Sequence, residues 1–469
     1  MKIFNKLMIL VTVFGLSACG DDFLDLSPSN ALPFETAIQT VNDLDAAVNG
    51  LYSQMQSSDW YGRYFILLPD IMSDDVKQNS NANRGRVWAE YTGTINDVQN
   101  IPRNTWTAIY VGVNRANFVI NSNLEFPAAV QTQANQLIGE AYAVRALAHF
   151  DLVRLYAQHY GFTANASHPG VPVVTEFNQD AQPARNTVAE VYAQVKADLN
   201  QAISLMTLNR GKGRFTKNSA KAILARVSYY QGDLAAAGSL ANEVITSGAY
   251  SLTAGSNLLA QWADLGDSPD AILDVVNNTL DNVGSESVAG MYNVSGYGDY
   301  LPSMDLVSLY DDADIRKGLF VEDNKLGGGV LGNLRQAKYF HPRGEDNFPV
   351  IRLPEMYLIR AEARAVSGDT AGAIEDLMTI RRRAWAAAPD VTATGAALVE
   401  EILLEKRLEL AFEGHRLFEL TRQKKGVVRV NCTAPAGSCT INYPNDFFVL
   451  PIPIEEINAN PSMTQNPGY

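Results

Sequence analysis

One unit occurs twice in this chain and constrains its fold more than any other feature. Asn218 to Ile245 reads as helix, Gly232-Asp233, helix, and Pro354 to Arg381 reads as helix, Gly368-Asp369, helix. Aligned on the Gly-Asp dipeptide, Ala225 falls with Ala361, Ala235 with Ala371, and Ala237 with Ala373. Small residues at these spacings let paired antiparallel helices approach closely. Stacked pairs then cover apolar faces that one pair leaves open to water.

The rest of the chain carries the same signal more weakly. Apolar residues recur at helical spacing in Phe34 to Gln56 (Ile38, Val41, Leu44, Ala47, Val48, Leu51), and Thr105 to Ile120 reads the same way. Gln131 to Tyr156 is apolar on more than one face, which predicts a buried central helix. Thr187 to Met206 and Ala397 to Glu413 complete the set, placing tetratricopeptide-like pairs near 187–248 and 354–413. The fold class expected is mostly α: a single domain over 34–469 built on these pairs, with long irregular loops and a few short strands.

The first residues point outside the cytoplasm. Lys2 and Lys6 precede an apolar run, Leu7 to Leu16, that is shorter than the ~20 residues a membrane-spanning helix requires. It fits a secretory signal, and Leu16-Ser17-Ala18-Cys19 is a bacterial lipoprotein cleavage pattern. Residues 1–18 are therefore expected as signal peptide, Cys19 as the lipidated N-terminus and 19–33 as a polar tether. The formal charge of −14 argues against nucleic acid as a partner. Cys432 and Cys439 flank a turn-rich stretch without histidine, and in an oxidising compartment they are expected to form a disulfide.

Two irregular stretches concentrate aromatic and planar polar side chains. Ser57 to Asn104 holds Trp60, Tyr61, Tyr64, Asn79, Arg84, Arg86, Trp88 and Tyr91, and Gly284 to Pro302 holds Tyr292, Tyr297 and Tyr300. Aromatic faces cover the C–H face of a sugar while Asn, Asp and Arg pair with its hydroxyls. The competing expectation is that most of these rings anchor their own loops. Trp88, set among Arg84, Arg86 and Glu90, is the first choice for ligand contact.

Catalytic and metal motifs fail to assemble. Gly327 to Gly332 matches G-x-G-x-x-G without the following helix and acidic residue that a dinucleotide site needs. The five histidines form no His-Glu-x-x-His, and His415 reads as structural, at a helix end. There is no G-x-S-x-G elbow. No catalytic residue, metal ligand or cofactor is assigned.

Long segments of the chain resemble the SusD/RagB family of outer-membrane nutrient-binding lipoproteins of Bacteroidetes. The resemblance is carried by Arg352-Leu-Pro-Glu-Met-Tyr-Leu-Ile-Arg-Ala-Glu-Ala363 and by Glu401 to Leu420, with its Phe412-Glu-Gly-His-Arg416. Leu450-Pro-Ile-Pro-Ile-Glu-Glu-Ile457, Asn460 to Tyr469, Cys19-Gly-Asp-Asp-Phe-Leu-Asp25, Ala47 to Tyr52 and Gly139 to Ala146 agree with it. It implies a helical scaffold without catalysis, held at the cell surface by lipid. The expected partner is a SusC-like TonB-dependent transporter, which the protein caps as a lid, and Asp21 and Asp22 resemble a surface-export signal. The expected ligand is an oligosaccharide; a peptide-capturing member of the family, or a tetratricopeptide-type adaptor without small ligand, are the alternatives. Arg352, Glu355, Arg360, Glu362, Arg407, Glu409, Glu413 and Arg416 read as structural charges that knit neighbouring helices. By analogy with glycan-binding members, the ligand site falls among Trp60, Tyr61, Tyr64, Asn79, Arg84, Trp88, Tyr292, Tyr297 and Tyr300.

Overall fold

The computed structural model describes residues 37–79, 85–122, 124–178, 180–263, 268–293, 295–322, 334–339, 341–430 and 432–469. The expected signal peptide, the tether with Cys19, the first residues of the opening helix, Arg84 and the Gly327–Gly332 motif lie outside them.

Nine long helices among the described residues build the scaffold, and shorter ones, three of which bear on the site, carry loops. The first is α1 (Val41–Met55), followed by the short α2 (Tyr64–Ile71) and α3 (Trp88–Thr92). Then come α4 (Asn100–Ile120), α5 (Gln131–Tyr156), α6 (Val188–Leu205), α7 (Lys217–Gln231) and α8 (Leu234–Thr246). The C-terminal set is α9 (Leu353–Ser367), α10 (Thr370–Ala384), α11 (Gly395–Glu409) and the short α12 (Arg416–Arg422). Each long helix packs mainly on its neighbours along the chain, from α4 through α8, and α8 then packs on α9 to join the C-terminal pair. The helices thus form one continuous body around a core that runs from α1 to the C-terminus. A smaller apolar cluster, including Leu358, Leu377 and Ile402, fills the space between α9, α10 and α11.

Local chemistry sets the ends of these helices. Thr40 caps α1, its hydroxyl accepting from the Asp43 amide at 3.2 Å while Asp43 accepts from the Thr40 amide at 2.8 Å. That reciprocal box starts the helix at Val41, later than apolar spacing alone predicted. Gly232 (φ 87°) and Gly368 (φ 92°) end α7 and α9 in the left-handed conformation. Asp233 and Asp369 then cap α8 and α10 by accepting from the amides of Ala236 and Gly372. The repeated Gly-Asp is therefore one device used twice, a left-handed stop followed by an N-cap. Of the aligned alanines, Ala225, Ala361, Ala237 and Ala373 are buried in helix contacts, whereas Ala235 and Ala371 face solvent. The close approach of α8 to α9 needs Gly238 instead, where a Cβ would come within 2.7 Å of the Ala363 Cβ. Helix α11 ends at Glu409, short of the expected Glu413, because Phe412 (φ 65°) and Gly414 (φ 76°) turn the chain away.

Buried ion pairs bind the scaffold across long stretches of sequence. Arg352 donates to Glu413 at 2.7 and 2.8 Å, Arg383 pairs with Asp270 and Glu409, and Arg360 pairs with Asp376. The expectation that these charges knit neighbouring elements is met for the C-terminal helices. Arg407 and Arg416 do something further. They reach out of the helical body to Asp75 and Asp74, at 2.7 Å each, in the loop that follows α2.

The described strands form four two-stranded antiparallel pairs. These are β1 (Val76–Gln78) with β3 (Tyr300–Pro302), β2 (Ala271–Val275) with β6 (Phe348–Arg352), β4 (Phe320–Glu322) with β5 (Leu334–Gln336), and β7 (Val427–Val428) with β8 (Thr440–Ile441). Strand β6 runs directly into α9, so its pairing with β2 sets where the C-terminal helix pair begins. Cys432 and Cys439 are joined in a disulfide beside β8, as expected.

Candidate ligand-binding surface

Strands β1 and β3 bring together the two aromatic stretches singled out in the sequence. Val76 pairs with Pro302, Lys77 with Leu301 and Gln78 with Tyr300. Beyond the strands, the Asn79 amide donates to Asp299 O at 2.8 Å, and its side chain donates to Gly298 O at 2.9 Å. The Val288 amide donates to Gly62 O at 2.9 Å, closing the second contact between the stretches. Main-chain hydrogen bonds therefore hold the two loops in register.

Burial divides the expected site residues into two groups. Trp60, Tyr61, Tyr292 and Tyr300 are closed off from solvent, and Asn79 is buried in the contact just described. Trp60 fills the space over Gly112, where a Cβ would come within 2.7 Å of the indole, and its Nε1 donates to Asp151 at 2.9 Å. Tyr61 packs on Phe65, Tyr292 packs on Phe412, and the Tyr300 hydroxyl donates to Arg86 O at 2.7 Å. These five residues were expected at ligand, and that expectation is corrected: they support the loops from beneath and present no open face. The apolar run Tyr64 to Ile71, without helical or strand periodicity, is itself a helix buried on nearly all sides.

Tyr64, Trp88 and Tyr297 are each half-buried, with their backs to the core. Two of them, Tyr64 and Tyr297, pack against charged side chains outside the expected site, while Trp88 packs on Tyr91. The Arg63 guanidinium lies 4.1 Å from the centre of the Tyr64 ring, and that of Arg86 lies 3.7 Å from the centre of Tyr297. Glu286 accepts from both the Tyr297 hydroxyl and Arg63. Arg86 also reaches Asp299, at 3.3 Å. Nothing in the spacing of Arg63 and Glu286 marks them, and Arg86 stands out only as a polar neighbour of Trp88; the pairing of the loops brings the three together.

The electrostatics follow from these contacts. Partial burial pushes the Tyr64 hydroxyl up to about 12, against the opposing pull of Arg63, so it stays protonated as a donor. Burial would raise the Glu286 carboxyl, but the hydrogen bonds from Tyr297 and Arg63 outweigh it and hold the group below its usual range. The result is a surface in which a guanidinium lies over each of the Tyr64 and Tyr297 rings and one fixed carboxylate joins Arg63 to Tyr297. It can cover an apolar face and satisfy several hydroxyls at once. Among the described residues no group of His, Cys, Asp and Glu side chains is placed to hold a metal ion.

Comparison with known proteins assigns the chain. Residues 22–229 match a family model described as starch-binding associating with outer membrane, and residues 330–469 match the SusD family model. The chain belongs to the SusD family. A SusD-family protein of Formosa agariphila, SusD-like protein P38, is 24% identical over 528 residues, covering 98% of each chain. The starch-binding protein SusD of Bacteroides thetaiotaomicron is 34% identical over 131 residues, 27% of this chain and 22% of that one. Among solved structures, a putative sugar binding protein from Bacteroides vulgatus superposes with a TM-score of 0.83 at 30% identity, covering 92% of this chain and 100% of that chain. SusD-family proteins are associated with the outer membrane. No helix among the described residues is long and apolar enough to cross a membrane.

Proposed function

We propose that this SusD-family protein binds an oligosaccharide at the cell surface and passes it to a SusC-like TonB-dependent transporter, without catalysis. The observation that carries the reading is the patch of Tyr64 and Tyr297 with Arg63, Arg86 and Glu286, together with the half-buried Trp88 in the same loop region. A pyranose laid against a half-exposed ring exchanges its own and the ring's hydration for contact. The two guanidinium groups donate to its hydroxyls and Glu286 accepts from them. Such a site is pre-formed, because its loops are already held by β1 and β3. The family model's description, and the names of the starch-binding and sugar-binding relatives, support a carbohydrate ligand. The transporter partner and the lipid anchor at Cys19 follow from the family resemblance and from the N-terminal sequence.

A glycan array probed with the purified protein tests the ligand class. Co-purification of a TonB-dependent barrel with the tagged protein, from the outer membrane of the native host, tests the partner. Recovery of the protein alone, under conditions that keep outer-membrane complexes intact, would count against the transfer role.

A further inference from the structure

Helix α3, which carries Trp88, is not held by its own sequence. It has five residues, and its N-terminus follows Val87 at φ 51°, a left-handed conformation that a β-branched residue adopts only under constraint. No side chain caps it, and Gly85 (φ 76°) and Gly93 (φ 68°) bound it with further left-handed turns. A helix of one turn has no stability of its own, so contacts from elsewhere must fix it.

Those contacts converge on Arg429. Its residue follows β7, and its side chain is buried against main-chain carbonyls from three separate segments. Nε donates to Ser73 O at 2.7 Å, just past α2, and Nη2 to Ile71 O at 3.0 Å, at the last residue of α2. Nη1 donates to Tyr91 O, in α3, and to Ser438 O, in the disulfide loop, at 2.8 Å each. The guanidinium also lies 4.4 Å from the centre of the Tyr91 ring. The loop closed by Cys432 and Cys439 adds a second grip: Thr433 Oγ1 donates to Gln78 O at 3.1 Å and lies 3.4 Å from the Tyr91 hydroxyl. The Arg429 amide donates to Cys439 O at 2.8 Å, tying the arginine to the closed loop. On its other side, the Tyr91 ring meets Trp88, with centroids 5.9 Å apart.

We propose that Arg429 is the positioning residue of the ligand surface. Gripping Tyr91 O together with Ile71, Ser73 and the disulfide loop, it sets the height and tilt of Trp88 without touching ligand. This rests on the glycan-binding reading of the Trp88 surface. The planar fork is essential to the role, because a lysine ammonium has three donors on one atom and does not span acceptors on three segments. The disulfide serves the same end by limiting the excursions of the loop that carries Ser438 and Thr433.

Two variants of the full chain test this: Arg429→Lys, and the pair Cys432→Ser with Cys439→Ser. Amide hydrogen exchange is read over 85–93, with the α10 peptide 370–384 as control. Mobility is read in native gels containing starch, xylan, mannan or alginate. Arg429→Lys should speed exchange across 85–93 by about tenfold or more while 370–384 exchanges as in the parent. It should also lose most of the retardation in whichever polysaccharide retards the parent. The serine pair should act in the same direction with a smaller effect, and decides the matter alone where Arg429→Lys does not fold. Unchanged exchange over 85–93 in a folded variant, or equal acceleration in 370–384, would overturn the proposal. A parent retarded by none of the four polysaccharides would count against the glycan reading, while local acceleration over 85–93 would still establish the clamp.

Discussion

The guanidinium of Arg86 lies 3.7 Å above the ring of Tyr297, joining the loop after α2 to the loop before β3. This stacking marks where two distant parts of the chain become one surface. The β1–β3 pairing beneath it makes the surface rigid, and the expectations below follow from which residues lie above that pairing and which lie within the scaffold.

Trp60 belongs to the scaffold. Replacing it with Ala removes a buried indole and its hydrogen bond to Asp151, which keeps its pairing with Arg154, at a cost of about 3–5 kcal/mol. Thermal unfolding should show this as a large fall in Tm. Glycan affinity measured well below the new Tm should change far less than stability does.

The two helix pairs are joined by Arg226 and Glu355, buried, with Nε to Oε1 at 2.7 Å. Burial opposes the charge on Glu355, but Arg226 holds the carboxyl down to about 2. A lowered folded-state value means the stabilisation is complete above the unfolded value near 4.5 and is lost as pH falls toward 2. Glu355→Gln should cost about 3 kcal/mol or more at pH 7, by leaving a buried guanidinium uncompensated. The deficit relative to the parent should shrink in acid, which denaturant melts from pH 7 down to pH 2.5 would follow.

Glu90, in α3, behaves in the opposite sense. Burial raises its carboxyl to about 7. A raised folded-state value favours the neutral form, so its contribution is fully present below about 4.5 and is lost as pH rises through 7. Glu90→Gln should therefore stabilise the protein at pH 8 by roughly 2–3 kcal/mol and leave it unchanged near pH 4. Parallel unfolding curves for parent and variant across that range would remove Glu90 from the account.

Cys19→Ala should move the protein from the membrane fraction to the soluble fraction and abolish labelling by a palmitate analogue. Retention of label in the variant would place the anchor at another residue.

The helical scaffold was legible because its signals are local. Gly232-Asp233 and Gly368-Asp369 stop one helix and cap the next within two residues, and Gln131–Tyr156 appears with the bounds its apolar pattern implied. The site was legible only as a region. Whether a ring such as Trp60 is exposed depends on Gly112 and Asp151, residues far along the chain that spacing does not connect to it. Arg63 and Glu286 carry no signal for the same reason, and Arg86 is legible only as a polar neighbour of Trp88. Arg407 and Arg416 carried a visible motif, yet their role in holding Asp74 and Asp75 beside the site depends on a contact between the two ends of the fold.

The central claim is that Trp88 and Tyr297 meet a glycan. Isothermal titration of the parent, Trp88→Ala and Tyr297→Ala against the best ligand from a glycan array tests it most directly, with Tm recorded for each. The account expects each substitution to weaken binding by about 2 kcal/mol or more while Tm moves by only a few degrees. Full affinity in both variants would place the ligand elsewhere on the molecule and contradict the account.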